Sequence, residues 1–418
     1  MQVRRHLRAT NLHKSIAVVA PTVLCAFAFA QAPDEAKLKQ LYERREWFEL
    51  REAVDGRNAS PLYLGAVASA FNRVDEATRR LGQVITQAPD SNEAREAREL
   101  LTDLYLRIGR SADAGKQIEE QLKAEPGRAD LRNVQTIFSA FSKGSNLEIR
   151  SRNDATIECE VRKDGVHVPI SVNGHSVTWL VDTGANISVL SDAEAARLSV
   201  AVPAAKGRAN DLAGGAATAG TGMIRRMTVG RFELRNVPVI VLPASQPPWT
   251  DLPAGRQGAI GLPVAIALQM IRWTSSGACR VGTGTSARTT APNLAFDGLH
   301  VISRVSLEGT PLDFVLDTGN QRETQLWQRF RRDFAPLVAQ GHPETRRVSQ
   351  VGGANDREVT ILPGIRLQVG GLETRLEPAV LFSTPVGDDH HHGNLGMDIL
   401  RQASEVTIDF TSMSLMLR

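Results

Sequence analysis

The sequence predicts a multidomain protein in which an N-terminal all-α domain of helical repeats is followed by an all-β region of two similar lobes. Apolar residues recur at helical spacing from residue 33 to about residue 145. Alternating patterns typical of strands begin at about residue 155. From there on, an apolar run that ends in Asp-Thr-Gly occurs twice, and the same landmarks follow each copy.

Length and charge limit the possible classes of function. A chain of 418 residues predicts two or three domains, and 42% hydrophobic residues are enough to build cores. The net charge of +3 belongs to the first thirty residues, which hold four of the 49 basic residues and no acidic one. The rest has 45 basic and 46 acidic residues. Charge therefore does not indicate nucleic acid or an anionic surface as a partner.

Residues 1–30 predict a signal peptide. A basic start is followed by an apolar run from Ile16 to Ala30, which ends in a small-x-small cleavage site before Gln31. The run is shorter than the roughly 20 residues of a spanning helix, which favours cleavage over an uncleaved anchor. Leu24 is too bulky for lipid attachment at Cys25. We expect a periplasmic or secreted protein without a membrane span after cleavage.

Residues 31–145 are predicted to be a helical domain with an internal repeat. The proline that ends each helix and the i, i+4, i+8 apolar positions before it align at an offset of 37 residues. The aligned sets are Ala77, Leu81, Ile85 and Pro89 against Ala114, Ile118, Leu122 and Pro126. The pattern resembles tetratricopeptide repeats, whose period is about 34. Such repeats can bind a protein partner, and a plain helical bundle that supports the rest is the alternative. The polar, glycine-containing composition of residues 127–153 predicts a linker or a domain boundary.

The centre of each lobe is an apolar run that ends in a carboxylate. The copies are Trp179-Leu180-Val181-Asp182-Thr183-Gly184-Ala185 and Phe314-Val315-Leu316-Asp317-Thr318-Gly319-Asn320. Such a run predicts a buried strand, and a carboxylate at its end is costly unless something uses the charge. Gly261 and Gly396 each follow their aspartate by 79 residues, and a Gly-Gly pair lies between the landmarks in each half. The matching spacing indicates a duplicated unit.

These motifs resemble those of retropepsin-like aspartic proteases. The first copy is the better match, because Asn320-Gln321-Arg322-Glu323 replaces the small residues expected after the second glycine. The resemblance implies a bilobal acid-protease fold, with lobe 1 at residues 155–283 and lobe 2 at residues 294–418. It implies that Gly261 and Gly396 pack behind the catalytic loops. It also implies that the Gly-Gly pairs belong to flaps over the substrate, whereas mobile loops are the alternative. The pairs are Gly214 with Gly215 and Gly352 with Gly353.

The resemblance also implies a mechanism, in which Asp182 and Asp317 are the catalytic pair. Two carboxyls held close together share one proton, so one can act as general base on a water while the other protonates the peptide carbonyl. Thr183 and Thr318 would hydrogen-bond across the lobe interface, and Gly184 and Gly319 would allow a tight loop. A peptide or protein is the expected substrate, and no cofactor or metal is expected. The sequence does not say which aspartate is the base.

Two other interpretations remain open. The chain could be a non-catalytic peptide-binding or scaffold protein that keeps the protease fold, although both aspartates are present. It could also process itself, with the N-terminal region as a pro-segment. Motifs of other enzymes are missing from the sequence: we find no phosphate loop, no dinucleotide fingerprint and no spaced Cys/His zinc set. A Gly-x-Ser-x-Gly elbow is also missing.

Cysteines and histidines leave further alternatives. Cys159 and Cys279 remain after cleavage and could form a disulfide in an exported protein or stay as two buried thiols. Residues 388–392 read Asp-Asp-His-His-His, but consecutive residues cannot all face one ion, so we expect a solvated loop rather than a metal site. Further along the two lobes, the patterns predict helices at 262–271 and 325–334, a loop at 349–357 and a strand at 375–382.

Overall fold

The computed structural model describes residues 34–142, 146–203, 207–210, 216–283, 291–350, 353–383 and 390–418. Within these ranges the chain has the predicted fold class, with helices first and two β-sheet lobes after them. The predicted signal peptide lies outside the described residues. So do residues 284–290, which lie between the two predicted lobes, and three of the four flap glycines, Gly214, Gly215 and Gly352.

The N-terminal region consists of helices whose apolar faces pack together. Serines cap two of them, because the hydroxyls of Ser60 and Ser91 accept hydrogen bonds from the backbone N–H groups of Leu62 and Ala94. No helix in the described part of the chain combines the length and apolar character needed to cross a bilayer. The helices are α1 (Glu35–Glu43), α2 (Trp47–Val54), α3 (Pro61–Ala70), α4 (Val74–Gln87), α5 (Asn92–Arg107), α6 (Ser111–Ala124) and α7 (Ala129–Ser142).

The 37-residue offset corresponds to repeated helices. Helices α4 and α6 begin at residues 74 and 111, and α5 and α7 begin at residues 92 and 129. Leu81 on α4 and Ile118 on α6 are both fully buried. Their assignment to the tetratricopeptide repeats stays a prediction. The prediction of a linker at 127–153 was wrong for the α7 residues, because apolar Leu131 is buried and α7 packs on α6.

Lobe 1 is built mainly from one large sheet. Its strand order is β1-β9-β6-β10-β5-β4-β8-β7, with β3 beside β4. The elements from residue 148 to residue 282 are β1 (Glu148–Ser151), β2 (Ala155–Glu158), β3 (Glu160–Arg162), β4 (Gly165–Val172), β5 (His175–Val181), β6 (Ser188–Ser191), α8 (Asp192–Arg197), β7 (Gly207–Asn210), β8 (Ala216–Val229), β9 (Phe232–Leu242), β10 (Gly258–Ile260), α9 (Leu262–Ala267), β11 (Met270–Thr274) and β12 (Ala278–Gly282).

Lobe 2 repeats this plan with a longer hairpin. Its sheet has the order β17-β18-β21-β16-β22-β15-β14-β19-β20, with β13 beside β14. The elements are β13 (Leu294–Asp297), β14 (His300–Leu307), β15 (Thr310–Leu316), β16 (Gln325–Leu326), α10 (Gln328–Asp333), α11 (Ala335–Val338), β17 (His342–Gln350), β18 (Gly353–Leu362), β19 (Ile365–Val369), β20 (Leu372–Leu376), β21 (Ala379–Phe382), β22 (Gly393–Leu395), α12 (Met397–Leu400), β23 (Glu405–Asp409) and β24 (Ser414–Leu417).

A third sheet joins the lobes. It has the order β2-β12-β11-β23-β24, so strands of lobe 1 and lobe 2 are neighbours in it. The two lobes meet where β11 pairs with β23, with Ile271 opposite Ile408 and both side chains buried. Burying large apolar side chains on both lobes stabilises their contact.

Several local predictions were wrong. The described residues of the predicted loop at 349–357, which are 349–350 and 353–357, lie on strands β17 and β18, whose many charged side chains hid the strand pattern. The predicted helix at 262–271 ends at Ala267, and β11 follows it. The predicted helix at 325–334 begins with the short strand β16, and the predicted strand at 375–382 is divided between β20 and β21. Proline 378 lies between the two and cannot donate to a ladder.

The helical region is docked on lobe 2. The guanidinium of Arg304, on β14, binds Glu49 of α2 at 2.6 Å and lies 4.1 Å above the ring of Phe48. Arg107, at the end of α5, donates to the Gly298 carbonyl at 3.0 Å. At the other end of the region, α7 lies beside β7 and β8 of lobe 1. The helices therefore contact both lobes.

Candidate active site

Strands β5 and β15 carry Asp182 and Asp317 out of the two cores. Each strand runs parallel to a short strand of its own lobe, β10 or β22. The aspartate backbone N–H continues that ladder, since Asp182 donates to the Ile260 carbonyl at 2.9 Å and Asp317 to the Leu395 carbonyl at 3.0 Å. Backbone hydrogen bonds alone are therefore enough to fix the backbone position of both aspartates.

Each carboxylate accepts two backbone N–H groups from the loop that follows it. The Oδ1 atom of Asp182 accepts from Gly184 at 2.9 Å and Ala185 at 3.1 Å. The Oδ1 atom of Asp317 accepts from Gly319 at 2.9 Å and Asn320 at 3.0 Å. Backbone donors favour the ionised form of a carboxyl and orient it.

The two threonines of the motifs cross between the lobes. The Thr183 hydroxyl donates to the Leu316 carbonyl at 2.7 Å and accepts from the Thr318 N–H at 3.0 Å. The Thr318 hydroxyl donates to the Val181 carbonyl at 2.7 Å and accepts from the Thr183 N–H at 3.0 Å. Both threonines are 1% exposed, so water cannot replace these bonds cheaply. The crossing holds the two loops in one register.

The motif glycines are required by close approach rather than by a sharp turn. Neither Gly184 nor Gly319 has a positive φ. A Cβ added at Gly184 would overlap the carboxylate of Asp317, and one at Gly319 would overlap that of Asp182. The expected reason, a tight backbone turn, is therefore replaced by a steric one. Each glycine makes room for the aspartate of the opposite lobe.

Gly261 and Gly396 lie directly behind the two Asp-Thr-Gly loops. A Cβ at Gly261 would overlap the backbone of Ile187 and Ser188. The same atom at Gly396 would lie 2.9 Å from Asn320. Both glycine N–H groups donate to a buried hydroxyl at 3.0 Å, on Ser188 in lobe 1 and on Thr324 in lobe 2. The sequence placed both glycines at this contact by resemblance.

Burial and mutual repulsion raise the pKa of the pair. Burial, the nearby charge of Asp317 and a hydrogen bond with the Asp317 carboxyl raise the pKa of Asp182 to about 7. Burial also raises the pKa of Asp317, while hydrogen bonds from Asn394 and two backbone N–H groups act in the opposite direction. The two carboxyls therefore titrate as a pair, which keeps one proton at pH values well above the ordinary pKa of an aspartate.

Sequence reasoning missed Asn394. Its side chain is buried on β22 and its Nδ2 donates to Oδ2 of Asp317 at 2.9 Å. A signal was present, because polar Asn394 lies two residues before Gly396, where Ala259 lies two residues before Gly261. Buried polar side chains nearly always have a partner.

The second motif departs from the first in a way that links the catalytic loop to the long hairpin. The Asn320 side chain donates to the Glu323 carbonyl at 2.8 Å. The Glu323 carboxylate binds Arg346 on β17, and burial raises its pKa. The unusual residues after Gly319 therefore connect the active-site loop to the β17–β18 hairpin, whose strand β18 begins at Gly353. In lobe 1 the corresponding hairpin is β7–β8.

The prediction of a solvated loop at 388–392 was wrong for two residues. His391 and His392 are buried, and His392 accepts from the Asp313 N–H at 3.0 Å. Burial lowers the pKa of His392 to about 4, so its ring is neutral and packs in lobe 2. Within the described residues, no group of three or more potential ligands could hold a metal ion. Asp388 and Asp389 lie outside those residues.

Cys159 and Cys279 form a disulfide in the structure, with their Cα atoms 5.7 Å apart. Cys279 lies on β12 of the interlobe sheet, and Cys159 follows β2, which pairs with β12. The disulfide closes a long loop of the chain that contains every element of lobe 1 from β3 to β11.

Comparisons with known proteins agree with the resemblance to aspartic proteases. Residues 168–264 match the family model described as aspartyl protease, a segment that includes Asp182 and Gly261. The resemblance predicted from the Asp-Thr-Gly motifs is thereby confirmed, and the family indicates a protease. The match does not extend to the helical region. No curated protein matches the chain significantly.

Three solved structures are similar to parts of the chain. An aspartic proteinase from Irpex lacteus is 10% identical over 63% of this chain and 96% of its own, with a TM-score of 0.38. A retropepsin-like aspartic protease from Rickettsia conorii is 16% identical over 32% of this chain and 93% of its own, with a TM-score of 0.23. The retroviral protease-like domain of Ddi1 from Leishmania major is 22% identical over 25% of this chain and 78% of its own, with a TM-score of 0.18.

Proposed function

We propose that the chain is an exported aspartic endopeptidase in which a water molecule is activated between Asp182 and Asp317. The observation that carries the proposal is the buried carboxyl pair, with one aspartate from each lobe and a pKa raised to about 7 on Asp182. A structural protein gains little from two facing carboxyls that each destabilise the other. The family match supports a protease role for the same residues.

The chemistry follows from one shared proton. With one carboxyl ionised and one protonated, the ionised group accepts a proton from water while the water oxygen attacks the peptide carbonyl carbon. The protonated carboxyl gives its proton to the carbonyl oxygen in the same step. In the resulting tetrahedral intermediate, the carboxyl that took the water proton passes it to the amide nitrogen, the other carboxylate takes back a proton from one hydroxyl, and the C–N bond breaks to give a carboxylic acid and an amine.

Export is supported by two independent features. Residues 1–30 have the pattern of a signal peptide. Disulfides such as Cys159–Cys279 persist mainly in oxidising compartments. Cell fractionation should recover a chain that begins near Gln31 outside the cytoplasm, and mass analysis without reductant should find the two cysteines linked. A full-length cytoplasmic chain with free thiols would refute export.

The helical region is proposed to support the protease rather than to recruit substrate. Its α2 and α5 already contact lobe 2, since Glu49 of α2 pairs with Arg304 on β14 and Arg107 of α5 donates to Gly298, between β13 and β14. A protein partner would therefore have to use the helices that do not contact the lobes. The first test is whether the protease half remains soluble when residues 34–142 are removed. Loss of solubility supports the structural role, and size-exclusion analysis with a partner candidate would follow.

Cleavage of an unfolded protein substrate between pH 3 and pH 8 tests the proposal. We expect the chain that begins at Gln31 to cleave, and its activity to fall as pH rises through about 7, where the shared proton is lost. Asp182→Asn and Asp317→Asn should each abolish cleavage, because a single remaining carboxyl cannot serve both roles. Asp251→Asn, at an exposed position, is the matched control.

An inert parent that still binds peptides would replace the proposal with the scaffold interpretation. Cleavage that survives in both variants would assign the activity to another site. If the parent cleaves only after losing its N-terminal helices, the self-processing interpretation holds.

A further inference from the structure

The two lobes differ at a position beside each aspartate, on the short strand that runs parallel to β5 or β15. On β22, Asn394 donates from Nδ2 to Oδ2 of Asp317 at 2.9 Å. The corresponding position on β10 is Ala259, since both residues pair with the position two residues before their aspartate, Val315 or Leu180. A methyl group has no donor. The backbone bonds to the two Oδ1 atoms are otherwise the same.

An amide nitrogen can only donate, so it stabilises the ionised form of the carboxylate that it contacts. Asp317 thus receives one donor more than Asp182. His300, on β14, also favours ionised Asp317 when it is protonated, and the opposing charge of Asp182 acts in the other direction. Both of these groups are titratable, whereas the amide acts at every pH.

Stability does not explain Asn394. The residue is 5% exposed, and its Oδ1 has no hydrogen-bond partner among the residues that the structure describes. Burying a polar atom without a partner costs free energy that an alanine or leucine would not lose. Positions that break a local rule in this way are often functional.

We propose that Asn394 is a positioning residue that divides the roles in the pair, holding Asp317 as the general base and leaving the shared proton on Asp182 as the general acid. This inference rests on the proposed protease function. Before a substrate binds, Asp317 is ionised, and its carboxylate is the group that later accepts the proton of the attacking water. Asp182 then supplies the proton that the carbonyl oxygen takes up.

The pH profile of kcat/KM separates this role from a packing role. Asn394 stabilises charge on Asp317 in both the singly and the doubly ionised pair. Asn394→Leu, similar in volume, should therefore raise the pKa of the acid limb by about one unit and leave the alkaline limb in place. Ala259→Asn should instead stabilise the doubly ionised pair and move the alkaline limb down by about one unit.

The exchange variant Ala259→Asn with Asn394→Ala should restore both limbs with the roles reversed. A uniform loss across all pH values in Asn394→Leu, without a shift of either limb, would overturn the proposal. Thermal unfolding of each variant shows whether the fold is kept.

A second measurement does not depend on activity. In Asp182→Asn, the remaining carboxyl of Asp317 can be titrated by carbon NMR with labelled aspartate, and in Asp317→Asn that of Asp182. Asp317 should titrate at least about one unit lower than Asp182, and Asn394→Leu should remove most of this difference. Equal pKa values for Asp317 and Asp182 with Asn394 present would refute the proposal, whether or not the parent is active. An inert parent would refute only the protease function.

Discussion

Lobe 1 and lobe 2 present nearly identical backbone bonds to their aspartates and quite different side chains around them. The threonine crossing has the same two distances in both directions, 2.7 Å and 3.0 Å. Outside the crossing, Ala259 in lobe 1 corresponds to Asn394 in lobe 2. Likewise Pro169, paired with Thr178, corresponds to Arg304, paired with Asp313.

The difference follows from which lobe each residue contacts. Thr183 and Gly184 reach into lobe 2, and Thr318 and Gly319 reach into lobe 1, so a change on one side alters the fit of both. Asn394 and Arg304 act within lobe 2 or toward the helical region. Such positions can differ between the lobes without disturbing the contact between them.

The largest effect is expected at Gly184 and Gly319, each of which makes room for the aspartate of the opposite lobe. Gly184→Ala and Gly319→Ala should each reduce kcat/KM by about a thousandfold, because the new Cβ overlaps the opposite carboxylate and displaces it. Equal losses would show that the lobes are equivalent at this point. Gly82→Ala is the control, since a Cβ on α4 has no atom within 4 Å and should leave activity unchanged. Wild-type rates in either active-site variant would contradict the steric argument.

Arg304 of lobe 2 binds the helical region, whereas the corresponding residue of lobe 1, Pro169, has no charge to do so. Arg304→Met should lower the free energy of unfolding by about 3 kcal/mol, because it leaves the buried carboxylate of Asp313 without its partner, and the loss of the half-exposed Glu49 pair adds little. Urea denaturation measures the change, with Arg366→Met at an exposed position of β19 as control. A loss no larger than that of the control would mean that the ion pairs contribute nothing to docking.

The threonine crossing should respond equally from both sides. Thr183→Val and Thr318→Val keep the side-chain volume and remove one buried donor and acceptor, at a cost of about 2 kcal/mol each. The double variant should lose less than the sum, since the two hydroxyls belong to one network. Chemical denaturation of the three variants forms the cycle, and strictly additive losses would show that the two halves act independently.

The stability of the protein should also depend on pH through the buried carboxyl pair. The pKa of Asp182 in the folded protein is raised to about 7 from an ordinary 3.8. Its contribution to stability is therefore fully present below about pH 4 and is lost as pH rises through about 7. Relative to the parent, Asp182→Asn should gain roughly 4 kcal/mol between pH 4 and pH 8, because a pKa raised by about three units corresponds to about 1.4 kcal/mol per unit. A constant difference across this range would show that the carboxyl is not perturbed.

Much of the candidate site was accessible from the sequence because it is duplicated. The two Asp-Thr-Gly motifs and the equal spacing to Gly261 and Gly396 identified the backbone around the pair. That backbone is symmetric, and symmetry is what a repeat reveals. Asn394 escaped notice because it is the asymmetric element, and its partner Asp317 is 77 residues away.

Other features could not be predicted because they depend on tertiary contacts. His391 and His392 follow two aspartates in a polar run, yet packing in lobe 2 buries both rings. The β17–β18 hairpin has charged residues on both strands, so no alternation indicated it. Nothing local to Arg304 shows that it contacts a helix 255 residues earlier in the chain.

The pairing of β11 with β23 has a consequence for how the protein, and the proposed protease activity, respond to dilution. An active site assembled from two separate chains falls apart when the chains are diluted. Here one covalent chain supplies both halves, and a shared sheet joins them, so each lobe experiences the other at an effective concentration of millimolar order or higher. The reaction rate should therefore remain proportional to the amount of protein, however little is present.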